Sequence, residues 1–485
     1  MSERVTHHTE QEARKYEWYK TGLISLAFAI VIGSYTVILE LKNSVFVQIV
    51  GGKLLPNARI ISMFALIPFI FLYSRMVDKL RRYYLVSFYC VIYGLLGIVF
   101  AYLLGHPAIG IPNATSSPYR LFGWIFYIFV ESYPPFVVSV FWAFVNSISS
   151  PQSAKKNYAL IVAASKLGGM FCSGLAMWWL MQPRMANVLP IVNDTYNHQV
   201  LLVASSILLL LVPFVIIAIM KWIPGKYMHG YEAAYRFEKK REVAQESKSF
   251  LQSIYSVWQS TTGGLIVFIR QPYVLGIFGM VFLYEVVYVV FSYLRVVEAQ
   301  KNALCMSDVT GTLFKPIFVV HFIGFVFALV GTQPLLRLMG ERFCLMMIPS
   351  MSAIFLIYFL LSYSSEAVYA GFIALRVINY AFSQPIRESL YIPTTKDLKF
   401  KSKSWIDAFG SKFAKTTGST FNIAVNWAGQ GWLTTLCGAF FTCILALWLF
   451  TAYLLGRRYE QAIAKNEVIG AEEELETSPE SAKAN

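Results

Sequence analysis

Charge is scarce in this sequence. Asp, Glu, Lys and Arg together make up 14% of its 485 residues, against about a quarter in an ordinary soluble domain. A chain this long cannot cover itself with a water-soluble surface on that allowance. Cysteine is sparse as well. Six residues are scattered singly, and Cys90, Cys172 and Cys443 lie in apolar stretches. No CxxC pair and no metal-ligand spacing occurs, so no metal is expected and the cysteines read as small apolar packing residues. The phosphate loop G-x-x-x-x-G-K-[ST] is missing, which argues against work driven by ATP hydrolysis. His106, His198, His229 and His321 stand far apart, so no catalytic cluster marks an enzyme, and no cofactor is implied. Residues Met1 to Lys20 mix acids, bases and two histidines. They have neither an apolar core nor an Arg/Ser-rich amphipathic pattern, so neither a secretory signal nor a transit peptide is expected.

What the chain has instead is apolar length. Hydrophobic residues make up 56% of it. Segments of roughly 20 residues, enough to cross a ~30 Å hydrocarbon core, start near Leu23, Ile60, Tyr84, Leu121, Tyr158, Leu201, Tyr273, Phe314, Phe343, Val368, Trp405 and Thr435. The expected fold is an all-α membrane protein of about twelve transmembrane helices in two six-helix bundles. Residues 1–20 read as a cytoplasmic N-terminal segment and 21–223 as the first bundle. A charge-rich cytoplasmic linker at 224–271, holding Lys239 to Glu242, precedes the second bundle at 272–458. An acidic, disordered tail covers 459–485.

Basic residues mark every second loop: Arg75 to Arg82, Lys155 and Lys156, the central linker, Arg337 and Arg342, and Lys396 to Lys403. The positive-inside rule places these loops, and with an even helix count both termini, in the cytoplasm. Much of the formal charge of +14 is therefore topological, so neither nucleic acid nor a protein partner is implied. The lipid bilayer is the expected surrounding, in a bacterial inner membrane rather than a plastid inner envelope. The sequon Asn113-Ala114-Thr115 falls in a loop on the opposite face and reads as accidental.

The two halves echo one another. SRMVDKLRR (Ser74 to Arg82) follows the second span and RLMGER (Arg337 to Arg342) follows the eighth. These turns resemble those of the major facilitator superfamily, which implies parallel six-helix repeats with a substrate site at mid-membrane. SKLGG (Ser165 to Gly169) and SKFAK (Ser411 to Lys415) sit at comparable depth in the two halves. The stretch IPTTKDLKFKSKSWIDAFGSKFAKTTGS (Ile392 to Ser419) enters an apolar run with its charges still on. It resembles the signature of the ATP:ADP antiporters, the nucleotide transport proteins of plastids and obligate intracellular bacteria, which reads roughly IPLDxxSKVKGKAAIDVVGSRLGKSGGS. Ile392, Pro393, Lys399, Lys401, Lys403, Ile406, Asp407, Gly410, Ser411, Lys415, Gly418 and Ser419 match without a gap. FWAFVNSIS (Phe141 to Ser149) is similar to that family's FWGFANEIT.

The resemblance implies a nucleotide cargo with several negative charges. A carrier of it needs fixed cations in the pathway, balanced by some carboxylates. Lys42 matches the family's lysine at the end of the first span, where a snorkelling lysine is the plain alternative. Glu131 sits inside the fourth span, with Trp142, Asn146 and Ser149 near its face on an undistorted helix. Lys155 falls in AKKNY against the family's AKRFY, and Lys166 lies deeper. Arg387 and Glu388 close the tenth span. In the signature helix Asp407, Ser411, Lys415, Gly418 and Asn422 share one polar, small-residue face, and Lys412 lies nearby. Lys42, Lys166, Lys412 and Lys415 are expected to make a cavity electropositive, and Lys415 is the strongest candidate for phosphate contact.

The chain also departs from the family. A glutamate expected late in the seventh span falls on Ser292, with Glu285 and Arg295 close by but not matched. Two transport modes stay open: exchange of ATP for ADP, and proton-coupled import of nucleotides or another anionic metabolite such as NAD. Glu131, Glu285 and Asp407 are the candidate coupling carboxylates. The topology gives the first expected outcome. Cysteines placed at Ser74 and Ser404 should react with an impermeant thiol reagent only from the cytoplasmic face; labelling from outside alone would sink the assignment.

Overall fold

In a bilayer each backbone N–H and C=O of a spanning segment must be satisfied inside the protein, which leaves helices as the economical solution for apolar runs of this length. The computed structural model agrees. It describes residues 2–182, 190–228, 271–301, 303–330, 333–395, 398, 403, 406 and 410–470, and no β-strand occurs among them. Lys155, Asp407 and most of Lys396 to Ser404 lie outside what is described of side chains.

The helices are α1 (Ser2–Ile49), α2 (Leu55–Lys79), α3 (Arg82–Leu104), α4 (Leu121–Glu131), α5 (Ser139–Ile148), α6 (Pro151–Leu180) and α7 (Pro190–Trp222). From residue 272 on come α8 (Pro272–Lys301), α9 (Met306–Val330), α10 (Gln333–Ser362), α11 (Ser365–Ile378), α12 (Gln384–Leu390), α13 (Ser411–Ala428) and α14 (Gln430–Ala464). Nine helical stretches among the described residues are long and apolar enough to span by length and composition. The described parts of the second, tenth and eleventh expected spans are not among them. For the last two the reason is visible. Glu366, Arg376 and Asn379 dilute the tenth, and the eleventh, α13, carries the polar face of the signature. Large apolar side chains point outward throughout, such as Phe171, Phe214 and Phe322, because the surrounding solvent is lipid.

Local chemistry sets the breaks. Pro134 and Pro135 remove two backbone donors from the fourth span, and the chain turns as a π-helix over Pro134–Val138 between α4 and α5. The tenth span repeats this form, with a π-helix over Asn379–Ser383 between α11 and α12. Ser150 caps α6 by accepting the Ser153 N–H at 3.1 Å, and Ser364 caps α11 by accepting the Ala367 N–H at 3.2 Å. The RLMGER turn breaks at Gly340, whose φ of 74° suits a residue without a Cβ.

The chain divides into two compact units. The first comprises 1–246 with 296–330, and the second 247–295 with 331–485. In unit 1, α1 lies against α6 through small residues. A Cβ on Gly168 would come within 2.2 Å of the Ala29 carbonyl oxygen, and one on Gly33 within 2.7 Å of Cys172 Sγ. α9 packs on α6 where His321 covers Gly169, and Gly324 lies against the stem of Lys166. Phe28 and Phe141 stack at 4.9 Å in the core of this unit, and the Tyr133 hydroxyl donates to the Val31 carbonyl at 3.0 Å. In unit 2, α13 meets α8 at Gly418, where a Cβ would lie 2.8 Å from the Val286 carbonyl oxygen. Phe421 and Phe440 stack between α13 and α14, and Trp448 is fully buried.

The α1–α6 contact should be intolerant of added volume. Gly168→Ala forces a backbone shift against Ala29, with overpacking on the order of 1–3 kcal/mol. Gly22 in α1 has nothing within 4 Å of a notional Cβ. A thermal melt in detergent should show Gly168→Ala several degrees below the wild type and Gly22→Ala at or above it. Equal midpoints for the two variants would contradict this packing.

Candidate functional site

Each unit carries a cluster of charge on its apolar helices. In unit 1 the cluster forms between α1 and the end of α4. Lys42 is 3% exposed, and its ammonium donates to Glu131 Oε1. The same nitrogen sits 4.4 Å above the Tyr127 ring. An unpaired ammonium is costly in such surroundings. Here a carboxylate and a ring face offset the cost, the ring by about 2 kcal/mol when desolvated. Glu131 is 33% exposed at its side chain, so the pair is shielded on the lysine side and open on the acid side. Arg59 of α2 lies within electrostatic reach of Lys42 and Tyr127. Glu40, two residues before Lys42, is buried and accepts from Asn43 Nδ2 at 3.3 Å.

In unit 2 the cluster forms between α8, α11 and α13. Glu285 Oε1 accepts from the Ser411 hydroxyl at 3.2 Å, and its Oε2 lies 3.9 Å from Lys415 Nζ. Lys415 is 47% exposed and Glu285 16% at their side chains. Arg295 is buried with its guanidinium carbon 4.1 Å above the Phe372 ring. Arg376 is half-buried and packs among Tyr288, Tyr380 and Phe372, at 5.4, 5.6 and 5.8 Å. The arrangement offers planar and point-charge cations beside aromatic faces, a combination suited to an anionic, ring-bearing solute.

The other expected residues are placed as follows. Lys166 is buried at the α6–α9 contact. Asn146 is exposed on α5 and accepts from the Tyr158 hydroxyl. The π-helix between Glu131 and Asn146 turns less per residue than an α-helix, which resets the register of the face drawn for an uninterrupted helix. Lys412 and Arg387 are half-buried, and Glu388 pairs with Lys403. Ser292, at the position of the expected glutamate, is buried.

Sequence reasoning missed Arg376, Arg59 and Glu40, although a charged residue inside an apolar run is a signal in its own right. It also read His198 and His321 as isolated. His198 donates through Nδ1 to the Asp194 carbonyl at 2.7 Å, and its Nε2 lies 2.8 Å from the Thr310 hydroxyl. Asp194 accepts the N–H groups of Met306 and Ser307 at 2.9 and 3.1 Å, capping α9 from α7. His321 Nε2 lies 3.1 Å from the Thr36 hydroxyl. Both histidines join helices that are remote in sequence.

Comparisons with known proteins bear on this geometry. The TLC ATP/ADP transporter family model matches residues 13–459. ADP,ATP carrier protein 1 of Rickettsia prowazekii (strain Madrid E) is 23% identical over 524 residues, covering 96% of this chain and 100% of that protein. ADP,ATP carrier protein 3 of Rickettsia bellii (strain RML369-C) is 21% identical over 497 residues, covering 90% and 94%. Among solved structures, a D-xylose–proton symporter superposes with a TM-score of 0.60 at 13% identity, over 92% of this chain and 97% of that one. The major facilitator superfamily proton:xylose symporter XylE bound to 6-bromo-6-deoxy-D-glucose gives 0.57 at 14% identity, over 93% and 96%. These likenesses establish the major facilitator fold.

The Lys42–Glu131 pair yields a prediction. Removing one partner of a buried pair costs roughly 3–5 kcal/mol, less where one member is partly wet. Glu131→Gln should therefore lower the melting midpoint in detergent by a few degrees. The double variant Lys42→Met, Glu131→Leu should recover most of that loss while remaining inactive in uptake assays. A double variant that transports normally would reduce the pair to a packing device.

Proposed function

The chain belongs to the TLC ATP/ADP transporter family, and on that footing we propose that it exchanges ATP for ADP by alternating access. It is a multi-pass membrane transporter and not an enzyme. The proposed location is a bacterial inner membrane, with both termini on the cytoplasmic face, as the basic loops argue.

One observation carries the reading of exchange. The Lys415–Glu285 contact spans 3.9 Å, beyond hydrogen-bond range, and the lysine is half exposed. A pair this loose can be opened by a phosphate oxygen that approaches Lys415 to hydrogen-bond distance. The charge-assisted bond so formed is stronger than the contact it replaces. With the anion gone, a cationic cluster is costly to carry through an apolar interior. That cost ties reorientation to a bound nucleotide, which is the requirement of exchange. Lys42, Lys166 and Lys412, with Arg387, supply further cations along the helices, and Asn146 a polar group. Lys155 and Asp407 keep the roles that the family resemblance gives them.

Proton-coupled import of nucleotides or another anionic metabolite is the second reading. Glu285 favours it: Oε2 is buried and has no hydrogen-bond partner among the described residues, which suits a carboxylate that takes up and releases a proton. Glu131 and Asp407 are the companion candidates.

Purified protein in liposomes separates the two. Exchange predicts that uptake of labelled ATP requires internal ADP; uptake driven by an acid-outside gradient into vesicles lacking nucleotide would replace exchange with symport. At equal membrane abundance Lys415→Ala should abolish or strongly reduce ATP uptake without loss of folded protein, and Lys415→Arg should retain part of it. Wild-type uptake by the alanine variant would remove Lys415 from the transport pathway.

A further inference from the structure

The internal repeat can be aligned on its backbone breaks, and the alignment exposes a change of sign. The π-helix of the fourth span begins at Pro134 and that of the tenth at Asn379. Three residues before each start stand Glu131 and Arg376, and four residues earlier again stand Tyr127 and Phe372. The first helices of the two halves register in the same way. Lys42 follows Leu41 and lies seven residues after Tyr35; Arg295 follows Leu294 and lies seven after Tyr288. The contacts confirm the register. Lys42 sits over Tyr127 at 4.4 Å, and Arg295 sits over Phe372 at 4.1 Å. One frame has thus been built twice, as a first-helix cation resting on an aromatic ring one helical turn before a charged residue.

Cation and ring keep their character, but the charge of that last residue changes sign. In unit 1 it is Glu131, which bonds to Lys42 and gives the frame an acid–base pair. In unit 2 it is Arg376, whose guanidinium lies 5.8 Å from the same Phe372 ring that carries Arg295. The frame that holds an acid–base pair in one unit therefore holds two guanidinium groups around one ring in the other. Arginine suits this position. Its planar, permanently charged head stacks on aromatic faces and presents a fork of donors to phosphate oxygens. The α8 helix places Glu285 one turn before Tyr288, and Glu285 in turn faces Ser411 and Lys415. Glu285 thus links the helix turn that carries Tyr288, the ring beside Arg376, to the signature lysine.

We infer that Arg295 and Arg376 form an anion-binding pair in unit 2 that takes a phosphate group of the transported nucleotide over the face of Phe372. The pair itself rests on the geometry of the repeat; the identity of the phosphate's carrier rests on the nucleotide reading above. In unit 1 the equivalent place holds the Glu131 carboxylate, which repels an anion, so unit 1 is the poorer anion site of the two.

The test uses the full chain in detergent, with pyrophosphate as the probe and thermal stability as the readout, and ATP uptake in liposomes beside it. Pyrophosphate should raise the melting midpoint of the wild type. Arg376→Gln and Arg295→Gln should each weaken its apparent affinity about tenfold or more, the loss expected for one charge-assisted contact. Arg376→Lys should fall between. Arg376→Glu is the decisive variant. Unit 1 shows that this frame accommodates a carboxylate beside its cation, so the variant should melt without ligand close to the wild type and yet gain nothing from pyrophosphate. Equal stabilisation of the wild type and Arg376→Glu, or none of the wild type, overturns the inference. If an anionic phospholipid rather than pyrophosphate gives the Arg376-dependent stabilisation, the pair is a lipid site and the assignment to nucleotide is overturned. A wild type that takes up no nucleotide but shows Arg376-dependent pyrophosphate binding would sustain the anion site and refute the nucleotide reading instead.

Discussion

A cation inside an apolar helix bundle must be held by something, and the ways this chain holds its cations organise the molecule. Lys20, 1% exposed, is satisfied by the Ile148 and Tyr227 carbonyls at 3.5 and 3.4 Å and by Glu17 at 2.7 Å. Its partners are mostly backbone, and it fixes α1 at Lys20 against the end of α5, where a positive charge also suits the helix dipole. Lys42 is held by a carboxylate and a ring. Lys415 is held at longer range by Glu285, and Arg295 and Arg376 rest on aromatic faces. Along that series the hold passes from fixed backbone to groups that a solute could replace. Lys20 and the cations proposed to serve transport differ in this respect.

The two halves keep one plan while trading its parts. In unit 1 the small residue at the close approach of the first helix is Gly33, which faces Cys172 on α6. In unit 2 the glycine is Gly418 on α13, and it faces Val286 on α8. Either arrangement lets two backbones approach, because only one partner need be small. The fourth and tenth spans keep their π-helices in matching places. π-Bulges concentrate at functional positions because they re-aim the side chains that precede them, and here those side chains are Glu131 and Arg376.

Transport also needs helices that separate and rejoin, and buried polar contacts make that possible at modest cost. Asp194 and His198 of α7 hold the first turn of α9 through two backbone N–H groups and the Thr310 hydroxyl. Such bonds exchange with water at small net cost, whereas an interlocked apolar contact does not. His321 with Thr36 is a second contact of this kind, between α9 and α1. Both tie α9 to other helices of unit 1.

The sequence by itself determined the membrane class, the helical fold and the family. Apolar runs of bilayer length have one economical solution, and the Ile392 to Ser419 signature is read residue by residue along one chain. It also brought forward Lys42, Glu131 and Lys415, because charge in an apolar run is conspicuous. The tertiary structure decided what those charges meet. That Lys42 faces Glu131, that Lys415 faces Glu285 and that Asp194 caps α9 are contacts between residues far apart in the chain, and no periodicity encodes them. The split of the tenth span was hidden for a related reason: a π-helix leaves no pattern in hydrophobicity, and without it Arg376 had no register with Glu131. Pairing is a property of helices brought side by side, set by where glycines allow approach, and only the folded chain fixes which faces meet.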